Sequence, residues 1–167
     1  MLYEFVIRLF GAGLASTLYF FPLTITYSDE CFTLQAQLNA PLTTDIEALV
    51  KRGFIFRVEY SYTVIINDRR SYTATSVNAV AYQKRWLVND SSETGGRLQE
   101  RAGESHAQFF HFKFDEGDKV FVFVNAHIVA DEVFTQSTGL PTSILWSYYV
   151  PRTKETFRYS RGAFVKE

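Results

Sequence analysis

The feature that most constrains the fold is a long stretch, residues 54–66, in which apolar and polar side chains alternate. One face carries Phe54, Phe56, Val58, Tyr60, Tyr62, Val64 and Ile66. An alternation of period two is typical of a β-strand with one buried face. A polar turn at residues 67–70 and a Thr- and Val-rich stretch at 71–82 follow it. The pattern therefore predicts a long antiparallel β-hairpin.

Further strands are predicted on both sides of this hairpin. Residues 31–39 alternate cleanly, and residues 84–88 carry Trp86 in another short strand. Residues 107–114 and 119–131 flank an acidic, Gly-bearing turn and predict a second hairpin, although a short helix also fits 107–112. Because residues 119–131 are apolar on both faces, we expect this strand to be central and covered on each side. Residues 144–150 and 155–159 predict the last strands.

One short helix is predicted after the first strand. Thr44 and Glu47 have the spacing of a capping box, and Ile46, Leu49 and Val50 form an apolar stripe. Gly53 supplies the expected stop. The polar residues 89–106 lack apolar periodicity and predict a long mobile loop, which can contain one helical turn near 98–102.

About eight predicted strands against one helix indicate a mainly β (α+β) protein. The expected architecture is an antiparallel β-sandwich or open barrel with one short helix, preceded by an N-terminal hydrophobic helix. Sixteen Phe and ten Tyr residues fit a β-rich core. An aromatic-lined ligand cavity is the alternative interpretation of that composition.

The hydrophobic helix is predicted from an uncharged apolar run at residues 9–25, which Arg8 precedes and Asp29 and Glu30 follow. This arrangement is typical of an export signal or a one-pass anchor. It predicts a signal-anchor or signal peptide at 1–28, a single extracytoplasmic β-rich domain at 29–167, and membrane contact through residues 5–25. The expected location is the periplasm, with anchoring in the inner membrane. Cleavage after Ser28 and a buried N-terminal helix of a cytoplasmic protein are the alternatives.

The chemical motifs of enzymes are missing from the sequence. His106, His111 and His127 have none of the usual metal-ligand spacings, and no Gly-x-Ser-x-Gly elbow, phosphate loop or dinucleotide fingerprint is present. Cys31 is the only cysteine and excludes an intrachain disulfide. The sequence therefore predicts a non-enzyme without catalytic, cofactor-binding or metal-binding residues. A net charge of −1 gives no reason to expect a nucleic-acid partner.

Two segments are candidate interaction surfaces. Residues 152–166 carry five basic residues against one acidic residue, next to Phe157, Tyr159 and Phe164. They could contact anionic lipid headgroups or an acidic partner, and a solvated edge strand guarded by charges is the alternative. The polar residues 89–106 are the second candidate, since loops held by a rigid scaffold often bind ligands.

Residues 34–62, LQAQLNAPLTTDIEALVKRGFIFRVEYSY, carry a further pattern. With the leader, they resemble the start of exported bacterial proteins of the domain of unknown function 4390 family. The family's pattern is matched here by Leu42, Ala48, Leu49, Gly53 and the strand at 56–60. Its small-residue–Pro pair is replaced by Phe54 and Ile55. The resemblance implies an exported, membrane-associated domain and brings no activity, cofactor or catalytic residue.

Three hypotheses about function follow. The first is a non-enzymatic, membrane-tethered interaction or assembly module of the bacterial cell envelope, whose partners are envelope proteins. The second is a carrier or binder of a hydrophobic small molecule or lipid in an aromatic-lined cavity. The third, an enzyme, has no residue constellation to support it. Whether the space between the sheets is filled or hollow distinguishes the first hypothesis from the second.

Overall fold

A computed structural model describes residues 18–39, 41–42, 44–132, 146–148 and 151–167. Within them the chain forms eleven strands and two helices. The strands are β1 (Thr24–Ser28), β2 (Cys31–Gln37), β3 (Phe54–Ile66), β4 (Arg70–Tyr82), β5 (Trp86–Val88), β6 (Ser91–Glu93), β7 (Glu104–Phe109), β8 (Lys119–Glu132), β9 (Trp146–Tyr148), β10 (Arg152–Ser160) and β11 (Ala163–Lys166). The helices are α1 (Thr44–Lys51) and α2 (Gly95–Gly103). The prediction of a mainly β protein is confirmed.

The strands form two antiparallel sheets. The small sheet has the order β1-β2-β7, and the large sheet has the order β11-β10-β8-β3-β4-β5-β6, with β9 pairing the second half of β8. The predicted hairpin of β3 and β4 is confirmed, and β3 also pairs with β8 over its whole length. β3 and β8 are therefore the centre of the large sheet, and the central position predicted for β8 is confirmed. The prediction that β8 is covered on each side is not, because Phe121 and Phe123 on one of its faces are only half-buried.

Aromatic side chains from both sheets fill one end of the space between them. The ring of Phe32 on β2 lies 5.2 Å from that of Phe164 on β11 and 5.8 Å from that of Phe112. Tyr72 on β4 meets Phe112 at 4.4 Å, and Phe32 is fully buried. At such centroid distances the rings are in direct contact. This part of the aromatic composition therefore belongs to the core.

A buried polar network joins the other end of β7 to the large sheet. The Tyr60 hydroxyl donates to the carbonyl oxygen of Gly103 at 2.7 Å, and the Tyr62 hydroxyl donates to Oγ of Ser105 at 2.6 Å. The Ser105 hydroxyl in turn donates to Oγ of Ser76 at 2.9 Å. Burial raises the pKa of Tyr62 to about 12 and raises the pKa of Tyr60 as well. Both phenols are thus held as neutral hydrogen-bond donors.

The N-terminal boundary of the folded domain differs from the predicted one. Leu18 and Leu23 are buried, and β1 pairs with β2 along its whole length. Residues 18–28, which the apolar pattern assigns to the leader, are therefore part of the β domain, and the boundary at residue 28 is corrected. Within this stretch, the apolar side chains of Leu18 and Leu23 pack on the core. The predicted N-terminal hydrophobic helix otherwise lies at residues 1–17, outside the described residues. Within the described part, neither helix is long and apolar enough to cross a bilayer.

The second predicted hairpin is wrong. β7 pairs with β2 in the small sheet and not with β8. After β7 the chain turns at His111, whose φ is 62°, and the backbone N–H of Phe112 donates to the carbonyl oxygen of Glu30. This turn lets Phe109 and Phe112 both pack on Phe32. Burial of these rings thus directs the segment to the small sheet.

The prediction of a long loop at residues 89–106 is also wrong. This segment contains β6, α2 and the start of β7. Leu98 and Ala102 are buried, so two apolar side chains suffice to attach a polar helix to the core. The helical turn suggested near 98–102 lies within α2, which extends it to nine residues. The first predicted helix, α1, is confirmed, and Gly53 follows it with a φ of 105°.

Candidate functional site

The side of the large sheet that points away from the small sheet carries the candidate site, here called the outer face. It is formed by Ser61, Thr63 and Ile65 of β3, Lys119, Phe121, Phe123 and Asn125 of β8, and Arg152, Lys154, Thr156 and Arg158 of β10. These side chains share a face because alternate residues of a strand point the same way. The outer face is thus set by the register of three adjacent strands.

Cross-strand pairing aligns unlike residues in rows. Phe123 lies between Thr63 and Lys154, and Asn125 lies between Ser61 and Arg152. Each row therefore runs from a hydroxyl on β3, across an aromatic or amide side chain on β8, to a cation on β10. Side chains directly opposite each other in antiparallel strands are close enough to act on one ligand.

Two lysines lie over the phenylalanine rings of β8. The Lys154 ammonium is 5.3 Å from the centroid of the Phe123 ring and 5.8 Å from that of Phe121. The Lys119 ammonium is 5.0 Å from the Phe121 centroid. Such cation–π contacts are worth about 0.5–1 kcal/mol each at exposed sites. They hold positive charge above an apolar surface that is only half-buried.

An open groove of about 680 Å³ crosses this surface. Ile65 and Phe123 give it apolar contacts, Thr63 and Asn125 offer hydrogen bonds, and Arg152 and Lys154 carry its charges. Within the described residues, neither Arg152 nor Lys154 has a carboxylate oxygen within 4.0 Å. No carboxylate among the described residues therefore competes with a ligand for either cation.

The remaining cations of the outer face share one carboxylate. Glu167 lies 2.6 Å from Nη2 of Arg158 and 3.6 Å from Nζ of Lys119. The hydrogen bond from Arg158 holds the pKa of Glu167 below its usual value. Since the whole chain has a net charge of only −1, the outer face is a local concentration of positive charge.

The basic segment 152–166 forms β10 and β11, and its side chains lie on both faces of β10. Arg152, Lys154 and Arg158 belong to the outer face, whereas Phe157 is buried on the opposite side. Lys166 pairs with the buried Glu155 at 3.0 Å. β10 lies between β8 and β11, so the solvated edge strand of the alternative interpretation is β11 instead. Three of the five basic residues are thus brought together with the phenylalanines of β8, which the sequence pattern did not connect with them.

The second predicted surface, around α2, forms a smaller polar cleft of about 230 Å³. Glu104 is central to it, since its carboxylate contacts Nη1 of Arg101 and Nε2 of His106, both at 3.1 Å. The cleft's two serines, Ser76 and Ser105, hydrogen-bond each other. A nucleophilic serine needs a base within hydrogen-bonding reach, and no hydrogen bond joins His106 to either serine in the described structure. The cleft's polar groups thus serve mainly to hold β7 and α2.

The three histidines lie apart from one another. His106 is on β7, His111 occupies the turn after β7, and His127 lies on β8 with Nδ1 3.8 Å from Oε2 of Glu59. Among the described residues, no group of three His, Cys, Asp or Glu side chains is close enough to hold a metal ion. Cys31 is half-buried at the start of β2, with Sγ 3.7 Å from Oγ1 of Thr33.

Comparisons with protein families, with curated proteins and with solved structures find no match to this chain. The resemblance of residues 34–62 to the domain of unknown function 4390 family therefore stays a prediction.

Proposed function

We propose that this protein is a non-enzymatic interaction module of the bacterial cell envelope that binds an anionic partner through its outer face. One observation carries the proposal. Arg152 and Lys154 stand free of described carboxylates beside an open, partly apolar groove. A protein of almost neutral net charge has no general need to concentrate cations in this way, and segregated charge of one sign steers and selects partners of the opposite sign.

The proposed location is extracytoplasmic and close to a membrane. Because residues 18–25 belong to the β domain, we limit the proposed membrane contact of residues 5–25 to residues 5–17. That stretch is shorter than the roughly 20 residues that a spanning helix needs, so we propose attachment at the bilayer surface instead of the expected one-pass anchor. Tyr19 and Phe21, which follow it, are 55% and 44% exposed, and their rings meet at 5.4 Å. Exposed aromatic residues favour the bilayer interface.

The alternative function, a carrier of a hydrophobic molecule or lipid, has less support. It needs an apolar space that encloses most of the ligand. The aromatic residues expected to line such a space contact one another instead, and the ring of Phe32 alone meets those of Phe109, Phe112, Phe114 and Phe164. These contacts favour binding at the surface.

Co-sedimentation with cell-envelope fragments of the bacterium from which the protein comes tests the proposal. The purified full-length chain is compared with the double variant Arg152→Glu/Lys154→Glu. The matched control is Lys84→Glu/Arg85→Glu, which makes the same change in net charge at two exposed residues between β4 and β5. We expect the wild type and the control to sediment with the fragments and the outer-face variant to stay in solution. Equal sedimentation of all three proteins would contradict the proposal.

A further inference from the structure

We propose that the anionic partner is an acidic glycan, a polysaccharide chain bearing carboxylate groups, which lies in the groove between Ile65, Phe123, Asn125, Arg152 and Lys154. This inference rests on the proposed function and names the chemical class that the outer face recognises.

The lining of the groove matches the mixed chemistry of a charged sugar chain. Ile65 and Phe123 can contact the C–H groups of sugar rings, and the side chains of Thr63 and Asn125 can hydrogen-bond sugar hydroxyls. Arg152 and Lys154 supply charged donors to carboxylates, and Arg can bind a carboxylate through two parallel hydrogen bonds. Each group in the groove thus has a partner on one kind of ligand.

The shape of the groove favours a polymer over a compact ligand. It crosses β3, β8 and β10, so it is about 10 Å wide from the first strand to the third, and it is open to solvent. A volume of about 680 Å³ accommodates a short run of sugar rings.

A lipid fits this surface poorly. An acyl chain needs a space that removes most of its surface from water, whereas this groove is open and carries two cations that contact no carboxylate of the described residues. An anionic headgroup alone would use Arg152 and Lys154 and leave Ile65 and Phe123 without a function.

An acidic peptide also fits less well. β3 and β8 lie inside the large sheet, so their backbone N–H and C=O groups are engaged by neighbouring strands. A peptide lying across this face could not add to the sheet, and its own backbone groups would lie over Ile65 and Phe123 without main-chain partners. A sugar chain has no such backbone requirement.

Isothermal titration of the purified full-length chain tests the inference with three carboxylated polysaccharides: polygalacturonate, alginate and hyaluronate. We expect the wild type to bind at least one of them, with binding that weakens as salt is raised. Arg152→Glu/Lys154→Glu should weaken it about tenfold or more, and the control Lys84→Glu/Arg85→Glu should not. The methyl ester of the polymer that binds keeps the sugar rings and removes the charge. The wild type should bind this ester no more tightly than the outer-face variant binds the charged polymer.

Failure of this inference can be told from failure of the proposed function. Polyglutamate and phosphatidylglycerol vesicles are titrated in parallel. One outcome is that the wild type binds envelope fragments through Arg152 and Lys154 and yet binds polyglutamate or the vesicles more tightly than all three polysaccharides. In that case the assignment of an acidic glycan is wrong, and the proposed function as an interaction module stands. Binding to none of the three polysaccharides would also overturn the glycan. Equal sedimentation of the wild type, the outer-face variant and the control with envelope fragments would overturn both.

Discussion

The backbone N–H of Leu23 donates a hydrogen bond to Oε1 of Glu155, 3.1 Å away, although the two residues are 132 positions apart. Glu155 is only 7% exposed, and its other carboxylate oxygen lies 3.0 Å from Nζ of Lys166. A carboxylate so deeply buried requires such partners. The contact joins the segment before β1 to β10, the strand whose opposite face carries Arg152 and Lys154. The N-terminal segment is therefore part of the support of the outer face.

Deleting residues 2–28 should strongly destabilise the domain, and by more than deleting residues 2–17 does. The longer deletion removes β1, the partner of Glu155 and the buried Leu18 and Leu23. Two buried leucines alone contribute roughly 3–6 kcal/mol. Urea unfolding, followed by tryptophan fluorescence, measures both deletions against the full chain. Equal stability of the two truncated proteins would show that residues 18–28 are dispensable.

Gly103→Ala should lower the free energy of unfolding by about 2–3 kcal/mol, because the added methyl group must be forced into a filled space. A Cβ at Gly103 would collide with the backbone carbonyl of Leu38 and lie 2.9 Å from Nε2 of Gln37. The matched control is Gly96→Ala in the same helix, where nothing lies within 4 Å of the added Cβ. Chemical denaturation of both variants should show the control unchanged or up to about 1 kcal/mol more stable. Similar losses in both variants would contradict the close contact of α2 with β2.

Stability should fall above about pH 10, and Tyr62→Phe should reduce that fall. The pKa of Tyr62 is about 12 in the folded protein, above the ordinary value of 10.0, because burial disfavours the phenolate. The folded state therefore holds this proton more tightly than the unfolded state. The contribution of this proton to the free energy of unfolding is complete below the pKa of Tyr62 in the unfolded state. It is lost as pH rises from 10 towards 12, by roughly 2 kcal/mol.

Urea unfolding of the wild type and Tyr62→Phe at about pH 9 and about pH 12 measures this difference. The variant should be about 1 kcal/mol less stable at the lower pH, since it loses the hydrogen bond to Ser105. It should then lose less than the wild type on going to the higher pH. Parallel pH profiles for the two proteins would place Tyr62 in contact with solvent.

Arg152→Glu/Lys154→Glu should change the free energy of unfolding by less than about 1 kcal/mol, because both side chains are exposed and only cation–π contacts are lost. Thermal unfolding beside Lys84→Glu/Arg85→Glu checks this. A much larger loss in the outer-face variant alone would mean that these cations support the fold, and its binding defects would then say nothing about a partner.

The sequence predicted the parts of the fold in which one local pattern decides the outcome. Alternation placed the core face of β3, and the stripe of Ile46, Leu49 and Val50 placed α1. The pattern was misleading where distant contacts decide. Leu18 and Leu23 are as apolar as a leader but pack on the core, and nothing local indicates that Phe109 and Phe112 pack on Phe32.

The candidate site could be predicted only in part. The excess of basic residues at 152–166 was visible, but its alignment with Phe121 and Phe123 depends on β10 pairing with the first half of β8. That register joins residues about thirty positions apart across the segment between β8 and β10. A one-residue shift would turn Arg152 and Lys154 to the other side of the sheet.

The most direct test of the outer face as the binding surface is the rate at which a cysteine on it reacts with a maleimide. Thr63→Cys, in the groove, is compared with Gln108→Cys, at an exposed position of β7 in the small sheet, both in a Cys31→Ser background. With envelope fragments present, we predict slower labelling at position 63 and an unchanged rate at position 108. Equal rates at position 63 with and without fragments, or protection at position 108 alone, would contradict the assignment of the outer face.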